Sequence, residues 1–149
     1  ARREIHRIDG VLIGAGNHLE SGQVCIGNCD DLNLVRRLID GDDGRYHYLP
    51  KEGLLYPELL EPEPENTPAP MPDASCADLV AQGSQHLLIN DMMATIVGQY
   101  VYQLLHRQPI QSFMTYTSIG GMPTSRSLPI CRDELSVFLE GSLRYEQAV

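Results

Sequence analysis

Positive charge, smooth apolar runs and cysteines at metal-ligand spacing are all scarce in this 149-residue chain. Eleven basic residues stand against twenty acidic ones, a formal charge of −9, so most of the exterior repels the phosphates of nucleic acid and of anionic lipid. The longest apolar-rich stretch, Leu87 to Leu105, is broken by Asn90, Asp91, Gln99 and Gln103, which argues against a membrane span. No two of Cys25, Cys29, Cys76 and Cys131 have the two-residue separation of a zinc knuckle. Cys25 and Cys29 are four apart, but they sit where a strand end runs into a turn and their thiols would diverge. Such cysteine usage fits a reduced, cytoplasmic setting. A start Met and a signal-like segment are also missing, and Ala1-Arg-Arg reads as a chain entered partway.

What is present describes one domain. Apolar residues make up 42% and charged residues 21%, the balance of a soluble globular protein, and the length suffices to bury roughly two-thirds of the unfolded surface. Val11 to Ala15 and Gly22 to Ile26 predict two strands joined by a short connection. Asp30 and Asp31 precede Leu32, Leu34, Val35, Leu38 and Ile39, a helical spacing with acid at its favourable end, and Gly41-Asp42-Asp43-Gly44 ends that helix. Pro50 and Pro57 confine any element around Lys51 to Leu60 to a short helix or turn.

Half of the ten prolines lie between Pro62 and Pro72, inside the acidic run Glu61 to Ser75. That composition supports neither helix nor central strand. It reads as an extended linker or as a mobile crossover loop passing over an active site. Beyond it, Ser75 is placed to cap a short helix through Leu79. A second helix, Ser84 to Arg107, is expected to be the central core helix, because Leu88, Ile89, Met92, Met93, Ile96, Val97, Tyr100, Val101, Leu104 and Leu105 recur at three- and four-residue intervals. Gln111 to Ser118 and Met122 to Leu128 flank Ile119-Gly-Gly121, a hairpin signal, and Asp133 to Leu139 closes with a short helix. The fold class is α/β.

Few residues carry a chemical signal. Gly14-Ala-Gly16 resembles the opening of a nucleotide-binding loop, but Leu19 stands where the third glycine belongs and no helix pattern follows to offer its N-terminus to phosphate. The five histidines show no metal spacing. Cys76 follows the proline-rich run at an expected helix start, where backbone N–H groups lower a thiol pKa. A nucleophilic thiolate and a small apolar residue tucked under a helix end are both open readings.

The segment Pro72-Asp-Ala-Ser-Cys76-Ala-Asp-Leu, continuing to Asn90-Asp-Met-Met-Ala-Thr95, resembles the ThiF/MoeB family, the adenylating enzymes related to ubiquitin-activating enzymes. There a proline-rich crossover segment leads to Ser/Thr-Cys-Ala and then to a long helix. The likeness is closest to ThiF-related proteins of PRTRC-type cassettes. Asp9-Gly-Val-Leu-Ile-Gly-Ala-Gly-Asn17, Ser21-Gly-Gln-Val-Cys-Ile-Gly27 and Ser127-Leu-Pro-Ile130 are similar to further segments of that group, so the resemblance runs from about Ile8 to Leu139.

The resemblance implies that residues 1–149 form the C-terminal half of a ThiF-like Rossmann-type domain, a mixed sheet with a long central helix and a crossover loop over 61–75. It implies adenylation of the C-terminal carboxylate of a ubiquitin-like or sulfur-carrier protein, using ATP and magnesium. These would be bound mainly by a nucleotide-binding half that would lie upstream of Ala1 and is absent from this chain. Cys76 becomes the candidate thioester cysteine, and a homodimer is expected. The paired CxxC zinc motifs of many MoeB-like members are missing. The alternative is a non-catalytic ThiF-like module for protein binding or dimerisation.

Overall fold

A computed structural model describes residues 10–41, 47–57 and 87–146. Its framework is a four-stranded sheet, β1 (Leu12–Asn17), β2 (Ser21–Gly27), β3 (Ser112–Ser118) and β4 (Thr124–Pro129), with neighbours in chain order. Every pairing between these strands is antiparallel, which corrects the expected mixed sheet. One isolated parallel bridge, Cys29 to Pro50, lies outside the named strands. Two of the three pairings follow from short connections, whereas β2 and β3 pair across the long segment 28–111. Leu19 and Glu20 close the first hairpin, where the His18 N–H donates to the Ser21 carbonyl at 2.8 Å, and Gly121, with φ +63°, turns the second.

Side chains alternate across the pleat, so the sheet has a core on each face, and β2 feeds both. On one face Cys25, Phe113, Met114 and Leu128 pack against three helices: α1 (Leu32–Gly41), α2 (Glu52–Leu55) and α4 (Arg132–Glu146). Asp31 starts α1, its Oδ1 accepting the N–H groups of Asn33 at 2.9 Å and Leu34 at 3.0 Å, which satisfies two donors a helix start leaves open. Val35 and Ile39, one turn apart, are the buried stripe of α1, as Leu135 and Leu139 are of α4. The last helix extends well past the expected Asp133 to Leu139. A bulge at Phe113, between the pairs Ser112–Pro129 and Met114–Leu128, turns two successive side chains into this core. There Phe113 meets the Phe138 ring edge-on at 5.7 Å.

The opposite face carries α3 (Leu87–Leu105) alone among the described helices. The position is that of the expected long helix, but its environment differs. Ile89, Met93 and Tyr100 are buried against Val24 and Ile26, whereas Leu88, Val101, Tyr102, Leu104 and Leu105 are exposed, Leu105 at 77%. The helix is apolar nearly all round but covered on one side only, so it is an outer helix and not a central one. One glycine-enabled contact and one hydrogen bond fix its seat. A Cβ on Gly22 would meet the Met93 sulfur, and the Tyr100 hydroxyl reaches Ser112 Oγ at 3.1 Å. The helix ends earlier than Arg107, in a left-handed cap. Arg107 has φ +52°, its N–H bonds the Leu104 carbonyl, and the Gln108 N–H bonds the Gln103 carbonyl at 2.8 Å.

The expected crossover loop Glu61 to Ser75, the short helix after Ser75 and Cys76 itself lie outside the described residues. No described helix is long and apolar enough to cross a membrane. One-sided burial of α3 sets a contrast in stability. Ile89→Ala is expected to cost about 2–4 kcal/mol in urea denaturation, and Leu105→Ala about 0.5 kcal/mol or less. A comparable loss at both sites would show that the outer side of α3 is packed in solution.

Candidate functional site

The strand register arranges one face of the sheet in rows. Gly14, Cys25, Met114 and Leu128 face one another across all four strands and form the row roofed by the helices. The next row is Gly16, Gln23, Tyr116 and Arg126, and the one after it Ser21, Ser118 and Thr124. Because α1, α2 and α4 cover only the apolar end, these polar rows form the floor of an open basin of about 550 Å³. Glu52 from α2 stands at its inner wall, and His18 and Asn17 at the β1 end.

Glu52 reaches the floor because Gly14 has no side chain: a Cβ there would occupy the space of the Glu52 carboxylate. At the far edge, Arg126 makes a long ion pair with Glu134, 3.5 Å, and stays largely exposed. Gly14 and Arg126 lie on the two edge strands, three strand spacings or about 14 Å apart. Between them the Tyr116 hydroxyl contacts that of Tyr56, which also bonds the Met114 sulfur at 3.4 Å. The basin therefore presents a carboxylate, a guanidinium and a floor of amide and hydroxyl groups. That set can donate to and accept from a polar ligand.

Gly14 and Gly16 lie inside β1, no helix N-terminus follows them, and the Glu52 carboxylate fills the space above Gly14. These residues do not fit a triphosphate. Among the described residues no three His, Cys, Asp or Glu side chains converge as metal ligands. Cys76, the one nucleophile singled out in the sequence, is outside the described residues, so its surroundings do not enter the site. The structure does bring together two segments of the ThiF-like resemblance. Asn17, at the end of β1, donates its side-chain amide to Asn90 Oδ1 of α3 at 2.7 Å, across 73 positions of sequence. No family model matches this chain, and no curated protein or solved structure matches it either.

Sequence reasoning missed Gln23, Glu52, Tyr116 and Arg126. The alternation Ser21, Gln23, Cys25 is the signal that could have shown a polar half-face on β2, but the bulge at Phe113 interrupts the same alternation on β3.

Cys25, under the roofed end, is buried. Its thiol is pushed up from 9.0 to about 12, first by burial and then by the Glu52 carboxylate. Burial also pushes the Cys29 thiol up. The folded Cys25 holds its proton where the unfolded thiol has released it, so the unfolded state binds fewer protons and stability falls as pH rises above about 9. Between about pH 8 and about pH 10 the parent is expected to lose about 1.4 kcal/mol more stability than Cys25→Ala in urea denaturation. Equal losses in both would show that this thiol ionises freely in the folded chain.

Proposed function

We propose that this chain is the protein-recognition part of a ThiF-like adenylyltransferase, the enzyme type that activates the C-terminal carboxylate of a ubiquitin-like or sulfur-carrier protein. The observation that supports it is the Asn17–Asn90 hydrogen bond. It joins the Gly-Asn strand end to the helix that follows the Ser-Cys-Ala segment, two parts of the resemblance 73 positions apart, in one local structure. In this reading the basin floored by Gln23 and Tyr116, with Glu52 and Arg126 at its ends, receives polar groups of the carrier protein. ATP and magnesium belong to a nucleotide-binding half, since the described residues offer the triphosphate no cradle. Cys76 is the residue to which a thioester would be assigned.

ATP–pyrophosphate exchange with the carrier present tests this, on the chain alone and on a polypeptide that includes whatever coding sequence lies upstream of Ala1. The chain alone is expected to show none. The longer form is expected to exchange both as parent and as Cys76→Ser, with a thiol-cleavable carrier adduct in the parent only. No exchange by either form sinks the adenylyltransferase reading, and a thiol-cleavable adduct in Cys76→Ser removes Cys76 from it.

A second reading, a non-catalytic module that dimerises or holds a protein, is favoured by the outer side of α3. Val101, Tyr102, Leu104 and Leu105 are exposed together on its last turns, an apolar cluster of a kind that isolated chains rarely leave in water. Sedimentation velocity over a dilution series is expected to show a dimer that Leu105→Glu reduces to a monomer. A monomer at all concentrations would reject self-association through this helix.

A further inference from the structure

The two ends of the basin differ in how their charges are met. Arg126 is answered by Glu134 at 3.5 Å, whereas the half-buried Glu52 carboxylate makes no ion pair or hydrogen bond with a described residue. A carboxylate drawn partly out of water and left unpaired is costly, and a cation bearing N–H donors relieves that cost. The chain's single lysine, Lys51, stands next to Glu52 in sequence but pairs with Asp30 at 2.5 Å. Residues 58–86, which follow α2, contain neither lysine nor arginine. We infer that the basin binds an aliphatic primary ammonium group brought by another molecule, with the Glu52 carboxylate as its counter-ion. This rests on reading the basin as a binding site and gives the polar group received there a chemical class.

Room for that group is built into β1. Gly14 and Gly16 lie on the same face of the strand, about 7 Å apart. Gly14 makes way for the carboxylate itself, while a Cβ on Gly16 would meet nothing within 4 Å. The floor beside Glu52 is therefore bare and the space above it open. Gln23, the partner of Gly16 across the ladder, lines the same space and carries an amide oxygen as a second acceptor. An ammonium is compact and offers three donors and no acceptor, which suits a carboxylate and an amide oxygen converging on a small opening. The Glu52 charge acts on its surroundings: it adds to burial in pushing up the thiol of Cys25, which pairs with Gly14. The formal charge of −9 also draws cations toward the chain. A bare divalent metal is a poorer fit, since it takes six or more oxygens and no three acidic, His or Cys side chains converge among the described residues.

The test is a 15N NMR titration of the chain with N-acetyl-lysine methylamide and, separately, with n-butylammonium chloride, at constant ionic strength. Tetramethylammonium chloride, a cation without N–H donors, and the Nε-acetylated form of the lysine amide, which is uncharged, are the controls. The two ammonium compounds are expected to shift the backbone amides of Gly14 and Gly16 and the side-chain amide of Gln23, with a dissociation constant in the millimolar range. Tighter binding of the lysine amide assigns the site to a lysine side chain of a polypeptide, and tighter binding of butylammonium to a free amine. Glu52→Gln, close in shape to the parent, is expected to weaken binding by about fivefold or more. Gly16→Val fills the open space, where it meets nothing, and is expected to weaken binding as much without lowering the melting temperature. Gln99→Ala, on the α3 face, leaves binding unchanged. Equal shifts from either control, full binding by Glu52→Gln or by Gly16→Val, or no shifts from either ammonium compound overturn the proposal. Neither ATP nor a carrier takes part, so a failed titration is distinct from a failed exchange assay.

Discussion

The whole of one face depends on how closely the chain returns to the end of β2. A Cβ on Gly27 would lie inside the backbone of Pro50 and Lys51, so glycine alone admits this approach. Asn28 then clamps the returning strand from both sides. Its amide nitrogen donates to the His47 carbonyl at 3.0 Å, and its oxygen accepts the Leu49 N–H at 2.7 Å. Main-chain bonds from Asn28 and Cys29 to Leu49, and from Lys51 to Cys29, complete the seam. Polar groups on both segments are thereby paired. The seam places α2, and α2 places Glu52 over Gly14. Without it the basin has no inner wall.

The two faces of the sheet divide the chemistry between them. On the helix-roofed face, a row of large side chains gives way within one strand residue pair to Gln23, Tyr116 and Arg126, so core and basin share the same strands. On the α3 face the same alternation supplies Val24 to the core and Thr115, Ser125 and Ser127 to an uncharged groove. The negative charge of the chain is concentrated elsewhere, with four acids in the run from Glu61 to Ser75.

Elements defined by local chemistry were legible in the sequence. The first two strands, the Asp31-capped helix, the Gly-Gly hairpin and the long helix stand where apolar spacing and turn residues put them, because capping and pleat act over a few positions. Which side of α3 is buried was not legible. Its residues are apolar nearly all round, so periodicity could not distinguish a helix enclosed by the fold from one seated on a sheet with its back exposed. Loop lengths make the two hairpins antiparallel, but the direction of β3 against β2, across residues 28–111, was not legible, and the resemblance to a Rossmann-type half had set a mixed sheet as the expectation. The basin was illegible for another reason. Its row is defined by register across four strands and by a bulge, neither of which leaves a motif in a single segment.

That bulge has a consequence for fidelity of assembly. In a plain ladder β4 can slide along β3 by one residue, and each of its side chains then changes face. With Phe113 inserted as an extra residue, Phe113 and Met114 both sink into the helix-covered core while Ser112 bonds Tyr100 on the other side. A slip of β4 would have to lift Leu128 from the helix-covered core and break the Thr115–Ser127 hydrogen bond on the other face. The extra residue acts as a detent: it holds the hairpin at the single alignment in which Tyr116 and Arg126 look out over the same basin.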